Sequence, residues 1–270
     1  MLKARVITAL ILLGVFLVAL FLLPDSGWAG FVAIVIGGAA WEWGGLAGFA
    51  QNKRLPYALV TALLSVTLYL ALTGPMVGGT RTVYVLACLF WLVVVPLWLR
   101  RKWQLGNGSV AVAVGWIVLL PAGLALVQLR GISPYLVFAV MAAIWTADIA
   151  AYFTGRAFGR HRLAPRISPG KTWEGALGAV IAVVGYGLSI LAWQGRMPGN
   201  AAAVFGAVGG LILLTGVSIA GDLLESLLKR QAGLKDSGQL LPGHGGILDR
   251  IDSLASALPL AGLALSIIYR

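Results

Sequence analysis

Nine apolar runs, each 17 to 24 residues long, recur at residues 6–23, 28–47, 56–72, 83–99, 110–129, 134–153, 175–193, 201–224 and 251–268. A helix needs about 20 such residues to cross the roughly 30 Å hydrocarbon layer of a bilayer. Nine such runs leave little chain for anything else. The sequence therefore predicts an all-α, polytopic integral membrane protein with about nine transmembrane helices. Composition closes the alternatives, since 60% of the 270 residues are hydrophobic and 11% charged. Soluble domains have about 45–50% apolar and about 25% charged residues, and disordered chains invert the balance seen here. Pro96, Pro121 and Pro259 fall inside runs, which membrane helices tolerate where neighbours satisfy the freed carbonyls.

The charges give these runs a direction. Twenty Lys and Arg stand against nine Asp and Glu, a formal +11. If the runs alternate across the membrane, 16 of those cations fall on one side. Only Arg81, Arg130, Arg196 and Arg270 fall on the other. The positive-inside rule then puts the N-terminus in the cytoplasm and the C-terminus outside. It also accounts for the surplus without a nucleic-acid partner. Lys3 and Arg5 precede the first run, but its length and the lack of a small-residue cleavage site read as a retained span. Cys88 is the only cysteine and there are two histidines, so neither an intrachain disulfide nor a zinc cluster is expected.

Topology does not explain the acids. Seven of the nine lie beyond residue 140: Asp148, Glu174, Asp222, Glu225, Asp236, Asp249 and Asp252. All fall in or at the cytoplasmic ends of the last four runs, among nine cations. We therefore divide the chain into five N-terminal helices (1–130), a scaffold, and a C-terminal unit of four (131–270) that carries these acids. The site is expected at the cytoplasmic ends of the C-terminal helices. Carboxylates among cations at an interface suit metal and phosphate chemistry. On a helix, Asp222, Glu225, Ser226 and Lys229 share one stripe, and Asp249 and Asp252 share a face at i, i+3. Between them, Pro242, Gly243, His244, Gly245 and Gly246 form a segment flexible enough to bring backbone N–H groups close to phosphate.

Simpler accounts compete. Asp249 suits a helix cap, with Asp252 on the helix dipole. Glu225 and Lys229 form an i, i+4 pair that needs no function. Arg160, His161, Arg162 and Arg166 suit lipid headgroups. Glu42, between Trp41 and Trp43, either reaches the interface or pairs with a cation across the bundle.

The stretch 226–252 reads S-x-x-K-R-x4-K-D-S-G-x2-L-P-G-H-G-G-x-L-D-R-x-D. It resembles the signature of the phosphatidate cytidylyltransferase, or CDP-diacylglycerol synthase, family. Residues 145–155 and 168–175 resemble two further blocks of that family, and the likeness is tight over about 140–255. The resemblance implies a homodimeric membrane enzyme of the plasma (inner) membrane. Its reaction joins CTP and phosphatidic acid to give CDP-diacylglycerol and pyrophosphate. It implies Mg²⁺, with or without a second cation, held by Asp222, Asp249 and Asp148. Lys171, Asp222, Asp249 and Asp252 are the implied catalytic residues. Ser168, Lys229, Arg230, Lys235, His244, Gly245, Gly246 and Arg250 are the implied substrate contacts. No general base is needed, because the attacking phosphate is already ionised at neutral pH. Two rivals share parts of this pattern. A CTP-dependent polyprenol or phytol kinase moves the γ-phosphate and releases CDP. A lipid or anion transporter calls for mid-membrane polar groups and inverted repeats.

Overall fold

A computed structural model describes residues 2–72, 78–106, 108–241 and 243–268, with side chains outside 2–6 and 78. Each apolar run coincides with a helix. These are α1 (Leu2–Leu22), α2 (Asp25–Leu46), α3 (Gln51–Leu72) and α4 (Gly78–Leu89), the last continuing through a π turn at Phe90–Val94 into α5 (Val95–Arg101). Then come α6 (Ser109–Ile132), α7 (Pro134–Phe158), α8 (Trp173–Trp193), α9 (Ala201–Gln231) and α10 (Leu248–Ile268). Among the described residues, eight helices are long and apolar enough to cross a membrane, α4 and α5 counting as one. The backbone of α1 matches them with 21 residues. The chain is an all-α polytopic membrane protein. Arg270, counted above for the charge pattern, lies outside the described residues, as does Pro242 of the signature.

The centre of the bundle is built from α2, α6 and α10, the most buried of the long helices. Indole N–H groups tie α2 to the α6 backbone: Trp43 Nε1 donates to Ala111 O at 2.9 Å and Trp28 Nε1 to Leu126 O at 3.2 Å. Arg130 closes one end of this core, donating to Leu20 O at 2.9 Å and to Asp25 Oδ1 at 2.6 Å. The outer faces leave large apolar side chains exposed, among them Leu63, Ile149, Leu177, Ile181 and Phe205. Such a face suits hydrocarbon, where backbone bonds inside the helix are the only ones required.

Two features depart from the sequence expectation. The first is a small hairpin where a loop was expected: β1 (Arg162–Ala164) pairs antiparallel with β2 (Ser168–Thr172). It leads directly into α8, whose N-terminus is capped by Thr172 Oγ1 accepting from Gly175 N at 3.1 Å. The second is the length of α9, which continues seven residues past its apolar run to Gln231. Hydropathy marks the lipid-facing length of a helix, and the polar turn beyond it is helical without being apolar. At the crossing of α9 and α10, Gly221 is a packing requirement. A Cβ there would meet Asp252 O at 2.5 Å and the Ser256 hydroxyl. This close approach sets Asp222 beside the first turns of α10.

Candidate active site

Four elements converge where α9 leaves its apolar run. From the hairpin, Lys171 Nζ donates to Asp222 Oδ2 on α9, and the other Asp222 oxygen accepts from Ser226 Oγ at 3.2 Å, one turn on. This pair stays accessible, with the side chains 23% and 29% exposed. Asp148, just past the middle of α7, lies within electrostatic reach of Asp222 and Lys171. Asp252, on α10, lies within reach of Asp222 and Asp148, and its Oδ1 accepts from Ser253 N at 2.6 Å.

A second, deeper group adjoins the first through Glu225, which interacts electrostatically with Asp252. Lys229 Nζ donates to Glu225 Oε2 at 2.8 Å and to Asp249 Oδ1 at 2.6 Å, so the expected i, i+4 pair is present but is half of a bridge. The other oxygen of Asp249 accepts from Ser237 N at 2.9 Å and Gly246 N at 2.8 Å. Asp249 thus reaches back three residues to Gly246, as the acidic member of a capping box does.

Carboxylates therefore outnumber ammonium groups where both are withdrawn from water. Gathering like charges is unfavourable unless protons or cations compensate. That imbalance fits a bound cation. Among the described residues no three His, Cys, Asp or Glu side chains form a ready-made metal cage. The expected ligands Asp222, Asp249 and Asp148 are therefore not gathered into one cage: Asp148 lies within electrostatic reach of Asp222, whereas Asp249 belongs to the Lys229 group.

The described part of the chain thus carries an accessible Lys–Asp pair, a carboxylate surplus and a loop clamped on Asp249. The Cytidylyltransferase family model matches residues 3–268. The chain belongs to the cytidylyltransferase family. It is 44% identical over 265 residues to a phosphatidate cytidylyltransferase of Pseudomonas aeruginosa, covering 96% of this chain and 95% of that protein. It is 34% identical over 285 residues to one from Haemophilus influenzae, covering 96% of each. A Brucella suis protein of the same name is 45% identical over 166 residues, which are 60% of this chain and 58% of that one. The family and these relatives speak for nucleotidyl transfer, and neither the kinase nor the transporter reading gains support.

The remaining expected contacts of the cytidylyltransferase sit around this core. Arg230, Lys235 and Arg250 are exposed and make no ion pair among the described residues. Ser168 begins β2 opposite Ala164. His244 N donates to Leu241 O at 2.9 Å, while its buried Nδ1 has no partner among the described residues. Gly245 has φ +80° and stands where a Cβ would meet Asp249 Oδ2 at 2.7 Å, so glycine is required there twice over. His161, expected among headgroups, pairs through Nδ1 with Glu174 at 2.7 Å.

The residues that sequence reasoning left without a role are Glu42 and Ser237. Glu42 makes no ion pair among the described residues. It is 2% exposed, and its Oε2 accepts from Ser237 Oγ at 3.1 Å and Leu248 N at 2.8 Å. Its only advance signal is its place as the lone acid within an apolar, Trp-flanked run of the N-terminal half.

Beside the site, a groove of about 1000 Å³ runs between α5, the hairpin, α8 and α9. Leu177, Val180, Ile212 and Leu223 line it, and Arg100, Lys102 and Arg166 stand on its border. Leu223 and Trp173 in its wall are next in sequence to Asp222 and Thr172 of the site.

Proposed function

We propose that this cytidylyltransferase transfers the cytidylyl group of CTP to phosphatidate, giving CDP-diacylglycerol and pyrophosphate. The observation that carries this reading is the Lys171–Asp222 pair, accessible and set among surplus carboxylates beside a lysine- and arginine-bearing loop. A phosphatidate oxygen attacks the α-phosphorus of CTP, a new P–O bond forms, and the bond to the bridging oxygen breaks as pyrophosphate leaves in line. Positioning and neutralisation of charge carry such a reaction.

Asp222 and Asp148 are the proposed ligands of Mg²⁺, with Asp252 beside them, since Mg²⁺ takes one or two carboxylates and completes its shell with water and phosphate oxygens. When bound, the cation supplies electrophilic polarisation of the phosphoryl oxygens. Lys171 holds the oxygens of the reacting phosphoryl group, and its pairing with Asp222 keeps the ammonium aimed at them. Arg230, Lys235 and Arg250 draw the triphosphate to the loop, and Ser168, Gly245, Gly246 and His244 line the place where pyrophosphate departs. The apolar groove takes the diacylglycerol part of phosphatidate, with Arg100, Lys102 and Arg166 meeting its headgroup on approach.

The same reading has nine membrane spans in the inner membrane, an N-terminus in the cytoplasm and a C-terminus outside, supported by the 16 to 4 division of cations. It has 131–270 as the catalytic unit and a homodimer, for which the family resemblance is the support.

The test is pyrophosphate release by the purified protein given CTP, phosphatidic acid and Mg²⁺, each omitted in turn. Release is expected only with all three. Release of CDP, or turnover without the lipid, overturns the reading.

A further inference from the structure

Glu42 and Ser237 lie 195 residues apart in sequence and share a buried hydrogen bond. Ser237 is the pivot of the arrangement. Its Oγ donates to Glu42 and accepts from Asp249 N at 3.2 Å, while its own N–H donates to Asp249 Oδ2 at 2.9 Å. Glu42 also accepts from Leu248 N, the first residue of α10 and the neighbour of Asp249. One carboxylate of α2 therefore holds both ends of the segment 237–248, which carries most of the signature loop. That carboxylate sits on a fixed element, since the adjacent Trp43 is 2% exposed and bonded to α6.

The glycines of the signature take a second meaning from this contact. A Cβ on Gly238 would strike Glu42 Oε1, with Glu42 Cδ next at 2.6 Å. A Cβ on Gly246 would strike both Glu42 Oε2 and Ser237 Oγ. Oε1 is buried against Gly238 and has no partner among the described residues. The loop thus passes closely around a carboxylate it has no other reason to admit, at the cost of a buried, half-satisfied polar group. Glu42 is too enclosed to touch CTP or lipid.

We infer that Glu42 is a positioning residue for nucleotidyl transfer, which acts by accepting hydrogen bonds from Ser237 and Leu248 and thereby fixes the Asp249 carboxylate and its loop. The inference rests on the reaction proposed above. Its reach differs from that of a packing contact, because the acceptor oxygen carries the effect. Met in its place fills nearly the same volume without accepting, whereas Gln keeps an acceptor for both donors.

Three single variants and one double variant test this in purified protein, with kcat and KM for CTP from pyrophosphate release and with hydrogen exchange of residues 236–248 read by mass spectrometry. Glu42→Met is expected to lower kcat 30-fold or more with KM for CTP changed less than threefold, and to raise exchange in the loop. Glu42→Gln is expected to stay within about fivefold of the parent in kcat. Ser237→Ala, a smaller change that serves if Glu42→Met fails to fold, is expected to lower kcat 10-fold or more. The double variant is expected to lose no more than Glu42→Met alone, because both act through one relay. The inference is overturned if Glu42→Met or Ser237→Ala keeps kcat within twofold, if Gln loses as much as Met, or if the two losses multiply. Should the parent protein release no pyrophosphate, the proposed reaction has failed. Loop exchange then still decides on Glu42, since unchanged exchange in Glu42→Met and Ser237→Ala overturns the positioning role.

Discussion

The Lys229 ammonium lies 2.6 Å from the Asp249 carboxylate, joining the last turns of α9 to the first turn of α10 across the signature loop. With Glu225 at 2.8 Å on its other side, Lys229 is the single cation between two carboxylates that are 6% and 5% exposed. Removing one partner of a buried pair costs about 3–5 kcal/mol, because the charge left behind has lost its compensation. Lys229→Met is therefore expected to lower the unfolding temperature of the detergent-solubilised protein and to abolish turnover. Glu225→Gln, which leaves one carboxylate on the lysine, is expected to unfold at a temperature closer to the parent.

The Lys171–Asp222 pair makes a different prediction. Its partners are about a quarter exposed, so water screens this pair more than the Lys229 bridge and it contributes less to stability. Lys171→Ala should lower the unfolding temperature less than Lys229→Met does. Loss of a charge aimed at the reacting phosphoryl group should cut kcat by about 100-fold or more. Measuring both on one preparation separates the roles of two lysines that hydropathy and charge counting treat alike.

Gly221→Ala tests the close crossing of α9 and α10. The added methyl meets Asp252 O and the Ser256 hydroxyl. Overpacking of this kind costs about 1–3 kcal/mol. The helices must part by some tenths of an ångström, which separates Asp222 from Asp252. The expected result is a modest fall in unfolding temperature together with a larger fall in turnover, read from the same pyrophosphate assay.

Residues 131–270 expressed alone should not yield an active enzyme. α10 packs against α2, α4 and α6 about as extensively as against α7 and α9, and the loop is tied to Glu42 on α2. Co-expression with 1–130 should restore pyrophosphate release. A C-terminal fragment that turns over unaided would show that the scaffold is dispensable.

Much of this arrangement is legible in the sequence because it follows helical periodicity. Asp222, Glu225, Ser226 and Lys229 were placed on one stripe by 100° steps alone, and the structure joins Asp222 to Ser226 and Glu225 to Lys229 on that stripe. The hairpin was not legible. Residues 162–172 alternate neither in hydropathy nor in β-branched content, and two strands of three and five residues are held by their flanking helices. Glu42 was visible but not assignable, since its partners stand 195 and 206 residues later and no local pattern links them. Gly246 was read as room for phosphate. Its lack of a side chain is also room for Glu42, a distinction that needs the third dimension.

The length of α9 has a consequence for where lipid and nucleotide can meet. Its 31 residues rise about 46 Å at 1.5 Å each, against a hydrocarbon layer of about 30 Å. Counted from Ala201, an upright helix emerges into the headgroups within a residue or two of Asp222. The helix thus works as a depth gauge. On the reaction proposed above, a water-soluble nucleotide then never has to enter oil, and a phosphate on a lipid never has to leave its own leaflet, for both to touch the same turn. Inserting or deleting a turn of helix ahead of Asp222 moves that meeting plane by about 5 Å, which is farther than a phosphoryl group can follow.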